Sequence, residues 1–225
     1  MTEMIGALHD FHDVAYARNW ADRFVPTLPR RQLFDTIVER LLAHPLPYPH
    51  VVELGVGPGY LAHEVLSRIG NISYQGVDFS QAMFQIAAER LSDFDERLTL
   101  TQADLTSANW IDLITEPVGA VISTWALHDL GSEASIYHVY ESVRRLLPEN
   151  GLLLNGDFIK PDGILNEYEA GRLPIGRHIE LLNEAGFQDV LSLIYLEQNV
   201  DEPTSANNYA CFQAVSPSEP NGQII

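Results

Sequence analysis

Val51-Val52-Glu53-Leu54-Gly55-Val56-Gly57-Pro58-Gly59-Tyr60 is the stretch that decides how this chain is read. Val51 to Leu54 is a short, mostly apolar run suited to a buried strand, and Leu61, Val65 and Ile69 then recur at helical spacing. Between strand and helix, glycine alternates at 55, 57 and 59. Without a Cβ, the backbone there can turn sharply and come close to a ligand. In an open α/β sheet, ligands bind beyond the carboxyl ends of the strands. A glycine turn can also serve geometry alone, since such motifs are weak evidence by themselves.

Outward from this turn the alternation of strand and helix repeats. Ile72 to Val77 predicts a second strand and Gln81 to Leu91 its helix, and Leu98 to Thr101 predicts a third strand. Gly119 to Ile122 predicts a fourth, with a helix carrying Ile136, Val139, Tyr140, Val143 and Leu147, and Gly151 to Leu154 begins a fifth. This order implies a parallel sheet with helices on both faces. A helix bearing Ile175, Ile179 and Leu182 then stops at Gly186, a fitting glycine cap. Val190 to Leu196 and Tyr209 to Val215 follow with no helix between them, which predicts a hairpin. Upstream, residues 1–48 read as a helical cap or lid. Its first helix gathers Tyr16, Trp20 and Phe24 on one face and is interrupted by Pro26 and Pro29. Its second carries Leu33, Phe34, Ile37, Val38, Leu41 and Leu42 and is stopped by Pro45 and Pro47. Residues 49–215 form the main domain, and 216–225 read as a loose tail.

Charge and cysteine content narrow the function. The 225 residues suit one α/β domain, and 31 acidic against 13 basic side chains give a formal charge of −18. Such a field repels nucleic acid and anionic membranes, and the basic residues form no patch to oppose it. Cys211 is the single cysteine, so an internal disulfide or a thiolate metal cluster is ruled out. No apolar run approaches the ~20 residues of a membrane span. The first ten residues lack a signal-peptide pattern, so a cytoplasmic location is the expectation. Nothing in the sequence sets an oligomeric state.

Asp78 follows the second strand, where a carboxylate can accept from both hydroxyls of a ribose. Asp104 follows the third, where it can accept from an adenine amino group. Each can also be a helix cap. Acidic residues at three successive strand ends, Glu53 included, suit a cationic ligand. Glu53-x-Gly55-x-Gly57-x-Gly59, Gly76-Val77-Asp78-Phe79-Ser80 with Met83, and Gln102-Ala103-Asp104 together resemble the first three motifs of class I S-adenosylmethionine-dependent methyltransferases of small-molecule type. Leu146 to Leu154 resembles that family's turn into strand five, and Leu181 to Phe187 its last helix. The resemblance covers residues 50–215. It implies a Rossmann-like, doubly wound sheet of seven strands, mostly parallel with an antiparallel last strand. It also implies S-adenosylmethionine as cofactor. Gly55, Gly57 and Gly59 would flank its methionine part, Asp78 its ribose and Asp104 its adenine. Phe79 and Met83 would pack on the adenine, or equally form helix-to-sheet core, and Leu105 and Thr124 complete the expected set. The rival is a nicotinamide dehydrogenase. Counted from Gly57, its third small residue falls at Ala62, which is tolerated. Glu53, the acidic end of strand three and the terminal hairpin weigh against it.

Methyl transfer from a sulfonium is an in-line displacement, helped chiefly by alignment, with a base needed where the acceptor must lose a proton. Leu127-His128-Asp129-Leu130-Gly131-Ser132-Glu133 resembles a segment of small-molecule O-methyltransferases, Leu-His-Asp-Trp-Ser-Asp-Glu, in which the histidine is the base. Leu130 departs from that pattern, and His128 can alternatively be a loop residue that orients the next helix. Tyr16, Trp20, Trp125 and Asp157 are candidates for the acceptor site; Lys160 lies near it in sequence. Strand four lacks the acidic ligand of magnesium-dependent catechol enzymes, and His9 with His12 is a weak metal pair, so no metal is expected. The expectation is methyl transfer to a small-molecule acceptor, with oxygen favoured. Its alternatives are other chemistry on the same cofactor, such as cyclisation or lyase action, and a non-catalytic cofactor-binding subunit.

Overall fold

The computed structural model describes residues 10–164, 170–204 and 206–218. Helix α1 (Val14–Arg23) starts at Asp13, whose side chain accepts from the Tyr16 amide at 2.7 Å. Helix α2 (Leu28–Ala43) carries Pro29 in its first turn. Pro29 therefore opens α2 rather than interrupting α1, because the first-turn amides have no intrahelical acceptor to lose.

The strands are β1 (His50–Leu54), β2 (Ser73–Asp78), β3 (Leu98–Gln102), β4 (Ala120–Thr124), β5 (Leu152–Phe158), β6 (Gln188–Leu196) and β7 (Tyr209–Val215). Between them lie α3 (Tyr60–Arg68), α4 (Gln81–Leu91), α5 (Glu133–Leu146) and α6 (Ile175–Glu184). They form one seven-stranded sheet in the order β3-β2-β1-β4-β5-β7-β6. Neighbours from β3 through β5 run parallel, and β7 inserts antiparallel between β5 and β6. The expected mostly parallel sheet with an antiparallel last strand is what forms. The hairpin arises because no helix separates β6 from β7, so β7 can only return beside β6.

Every residue of β1 is buried, and its side chains alternate between two cores. Val51 packs with residues of α2, α3 and α4, whereas Val52 and Leu54 pack with residues of α5 and α6. Helix α1 packs through a small cluster, Ala17 and Ala21 against Ala82, Met83 and Ile86 of α4. Ser216, expected to open the loose tail, is tied to the sheet. Ser216 is fully buried, donates its amide to Gly151 and accepts from Asn150. Residues 219–225 and His9 lie outside the described residues. Among the described residues, no helix is long and apolar enough to cross a membrane.

Candidate functional site

The carboxyl ends of β1, β2 and β4 open onto a cavity beneath α1. Glu53, Gly55, Gly57, Asp78, Phe79, Met83, Asp104, Leu105 and Thr124 all line it. Gly59 is not on that wall. The three glycines share positive φ angles of 73°, 49° and 79°, where a side chain is strained. Their neighbours separate their roles. A Cβ on Gly55 would stand 2.3 Å from Ala126 Cβ, and one on Gly59 would stand 3.0 Å from Leu91. Both are glycine for packing. Gly57 alone would meet open space, with nothing nearer than its own turn at 4.0 Å, so it is the point of backbone approach.

Asp78 is buried and accepts from the amides of Gly57 at 2.8 Å and Ser80 at 2.9 Å. Burial raises its pKa, while those amides, that of Phe79 and the nearby His12 pull it back. The carboxylate thus ties the glycine turn to the end of β2 before any ligand arrives. Glu53 is more isolated. It accepts one bond from Tyr74 Oη at 2.6 Å, and burial pushes its carboxyl up to about 8. Asp104 is exposed and caps its own turn, accepting from the Thr106 amide at 2.8 Å and hydroxyl at 2.7 Å.

A second cavity of about 290 Å³ adjoins the first, with Phe11, Trp20, Phe24, Trp125 and Asp129 on the walls of both. Tyr16 and His128 also line it. His128 sits in a 3-10 turn, Leu127–Leu130, directly after β4. Its Nδ1 meets Asp157 Oδ1 at 2.7 Å, its backbone amide donates to Asp157 Oδ2 at 2.9 Å, and its Nε2 meets Asp129 Oδ1 at 3.2 Å. Burial disfavours the imidazolium, but Asp157, by charge and hydrogen bond, and Asp129 outweigh it, so the His128 pKa stands above the ordinary value. Arg172 pulls the other way. Asp157, expected at the acceptor cavity, is fully buried on β5 and faces His128 instead. It can hold the ring, not touch an acceptor. Gly171 closes the arrangement from outside: a Cβ there would fall 1.8 Å from the His128 carbonyl oxygen.

The structure thus brings Tyr16, Trp20, Trp125 and His128 onto one wall system and puts Lys160 on neither cavity. Sequence reasoning missed Phe11, Phe24, Arg30 and Phe158 as wall residues. Phe158 was findable, since β5 runs four residues past its expected apolar start. Arg30 carried no signal, because only the docking of α2 places it there. Among the described residues, no group of three or more potential ligands could hold a metal ion.

The family described as Methyltransferase domain matches residues 51–151, from β1 to the start of β5. The chain is 28% identical over 181 residues to highly reducing polyketide synthase 2 of Gibberella zeae, covering 72% of this chain and 7% of that protein. It therefore spans a small fraction of the curated relative's length. Among solved structures it resembles an O-methyltransferase family protein from Burkholderia thailandensis, with TM-score 0.70 and 16% identity over 93% of this chain and 62% of the other. It also resembles the CurJ carbon methyltransferase, with TM-score 0.68 and 18% identity over 92% and 59% of the two chains. A third is human N-acetylserotonin methyltransferase in complex with S-adenosylmethionine, with TM-score 0.64 and 16% identity over 93% and 58%. The sheet order, the glycine turn after β1 and a domain match that includes that turn agree, and the chain has the class I S-adenosylmethionine-dependent methyltransferase fold.

Proposed function

We propose that the chain transfers a methyl group from S-adenosylmethionine to a small molecule whose acceptor atom must lose a proton, with His128 as the base. The observation that carries this reading is the His128 ring, held from behind by Asp157, on the wall of an aromatic cavity that adjoins the glycine-turn cavity. S-adenosylmethionine, when bound, supplies a methyl group activated by positive sulfur.

The residues present fit that cofactor. Glu53 is a buried acid with a single hydrogen-bond partner, and its ionised form needs a cation such as an amino-acid ammonium. Asp78 keeps lone pairs for ribose hydroxyls beyond the amides it already accepts. Phe79, Met83 and Leu105 offer an apolar slot for adenine, Asp104 a carboxylate at its rim, and Thr124 a hydroxyl at the end of β4. Gly57 lets the backbone come close. Asp157 holds His128 Nδ1 as the donor, which leaves Nε2 to accept the proton of the acceptor. Asp129 covers Nε2 and is partly exposed, so it must turn aside for the acceptor to reach the ring. Tyr16, Trp20 and Trp125 supply flat apolar contacts for the acceptor.

An oxygen acceptor is the first reading, from the segment around His128. A second, an acidic carbon between carbonyl groups, is supported by the likeness to a carbon methyltransferase and by the polyketide synthase relative. The proposal takes the chain as cytoplasmic and without nucleic-acid or membrane partners, supported by the charge of −18. Methyl-labelled S-adenosylmethionine offered with a panel of phenols and β-dicarbonyls, followed by mass spectrometry, tests it. Labelled product that disappears in His128→Asn is expected. Product formed equally well by that variant removes the base from the reading.

A further inference from the structure

We propose that the acceptor is an aromatic carboxylic acid whose carboxylate pairs with Arg30. This rests on the methyl-transfer reading of the same cavity and adds the substrate class to it.

The walls of the second cavity include the rings of Phe11, Tyr16, Trp20, Phe24, Trp125 and Phe158. Flat rings on several sides favour a flat guest, which gains dispersion and offset stacking against them. Its volume of about 290 Å³ is roughly twice the ~150 Å³ of an apolar cavity that holds benzene, which leaves room for one substituted ring. Into this aromatic-walled space Arg30 brings the one lysine or arginine side chain that lines it among the described residues. Its guanidinium lies 3.7 Å above the Phe24 ring and 5.6 Å from that of Trp125. That stacking fixes the plane of the fork and leaves its edge N–H groups available.

Those donors are poorly used. The one hydrogen bond from Arg30 goes to the Phe24 carbonyl at 3.5 Å, the outer limit of such a contact. Arg18, Arg68 and Arg177 each meet a carboxylate within 2.8 Å, whereas Arg30 meets none within 4 Å among the described residues. Other arginines, Arg97 and Arg144 among them, also lack a carboxylate but donate to backbone carbonyls at 2.8–3.1 Å; Arg30 is set apart by its place on the cavity wall and its one long contact. Burial disfavours its charge, with only Glu197 and Tyr209 at longer range to favour it. A carboxylate guest would supply the missing partner in two parallel N–H···O bonds. The overall charge repels anions, so an anionic acceptor needs such a local cation to enter at all. Polarity also sets the guest's direction. Asp129, on the turn after β4, repels a carboxylate from the His128 end, so the acid group goes to Arg30 and the acceptor atom to His128.

The test is a binding titration, by tryptophan fluorescence or calorimetry, of protein loaded with S-adenosylhomocysteine and of the protein alone. The probes are para-hydroxyphenylacetate and para-hydroxyphenylacetamide, which share a ring and differ in charge. Wild type should bind the acid about tenfold more tightly than the amide, a difference of ~1.4 kcal/mol. Arg30→Gln should abolish that preference, and Arg30→Lys should keep part of it, with melting temperature and S-adenosylhomocysteine affinity unchanged. Absent binding of the acid, equal binding of acid and amide by wild type, or a preference that survives Arg30→Gln overturns the proposal. Failure of the methyl-transfer reading looks different. There S-adenosylhomocysteine does not bind, while the acid preference in the protein alone still reports on Arg30.

Discussion

At the scale of single residues, the proposed site rests on three buried acids, Glu53, Asp78 and Asp157, and on His128. The pKa of His128 lies above the ordinary imidazole value of 6.5, and only the neutral ring accepts a proton. On the proposed reading of His128 as the base, the rate should rise with pH through a midpoint above 6.5 and level off beyond it. Asp157→Asn removes the favourable charge, so that midpoint should shift to lower pH, as a profile of kcat/KM will show. A midpoint that does not move separates Asp157 from the ring's titration. Stability follows the same linkage: a raised histidine pKa stabilises the fold below the unfolded value and loses that contribution as pH rises through the folded one. Glu53 behaves alike in sign. With a folded value of about 8 against an ordinary 4.5, it is mostly protonated at pH 7, and its contribution to stability is lost as pH climbs from 4.5 through 8. A bound ammonium group would draw it into the charged form. Binding of S-adenosylmethionine at pH 7 should then release a proton, read from the dependence of calorimetric enthalpy on buffer ionisation, and Glu53→Gln should abolish that release. An enthalpy independent of buffer in wild type would contradict this account of Glu53.

At the scale of elements, the site is assembled by close approaches between loops that only glycine permits. Gly171 stands where a Cβ would fall 1.8 Å from the His128 carbonyl, so Gly171→Ala must push either loop away. Turnover should drop by roughly tenfold or more, as a small misplacement of a catalytic group allows, with S-adenosylhomocysteine affinity nearly held. Kinetics at normal cofactor affinity would detect this, and an unaffected kcat would show that the 3-10 turn does not depend on that contact. Gly176 is the control. It lies in α6 with no atom within 4 Å of its Cβ position, so Gly176→Ala should leave activity alone and stabilise the helix by ~0.5–1 kcal/mol, seen as a higher melting temperature.

At the scale of the whole molecule, the charge of −18 acts on everything. Self-repulsion among surface carboxylates opposes the compact state and is screened as the Debye length shrinks from ~30 Å at 0.01 M salt to ~8 Å at 0.15 M. The melting temperature should rise between those salt concentrations. A fall would mean that exposed pairs such as Arg18–Glu89 and Arg177–Glu133 outweigh the repulsion, contrary to the modest contribution usual for surface pairs.

The sequence by itself determined the sheet and its cofactor end. Strands of four to seven residues, helices at 3.6-residue spacing and the turn after Leu54 are local patterns, and local patterns are written in consecutive residues. Even the antiparallel β7 was legible, from the missing helix before it. The division of labour among the three glycines was not, because Ala126 and Leu91 approach Gly55 and Gly59 from 71 and 32 positions away in the chain. The same holds for the Asp157 carboxylate beneath His128, which arrives through the pairing of β4 with β5. Arg30 makes the point most fully. In sequence it is one of two adjacent arginines after a proline, and only the packing of α2 over the sheet brings its guanidinium to the wall of an aromatic cavity. Contacts between distant segments depend on how whole elements dock, and docking is set by the summed burial of their apolar faces, not by the residues that end up facing the ligand.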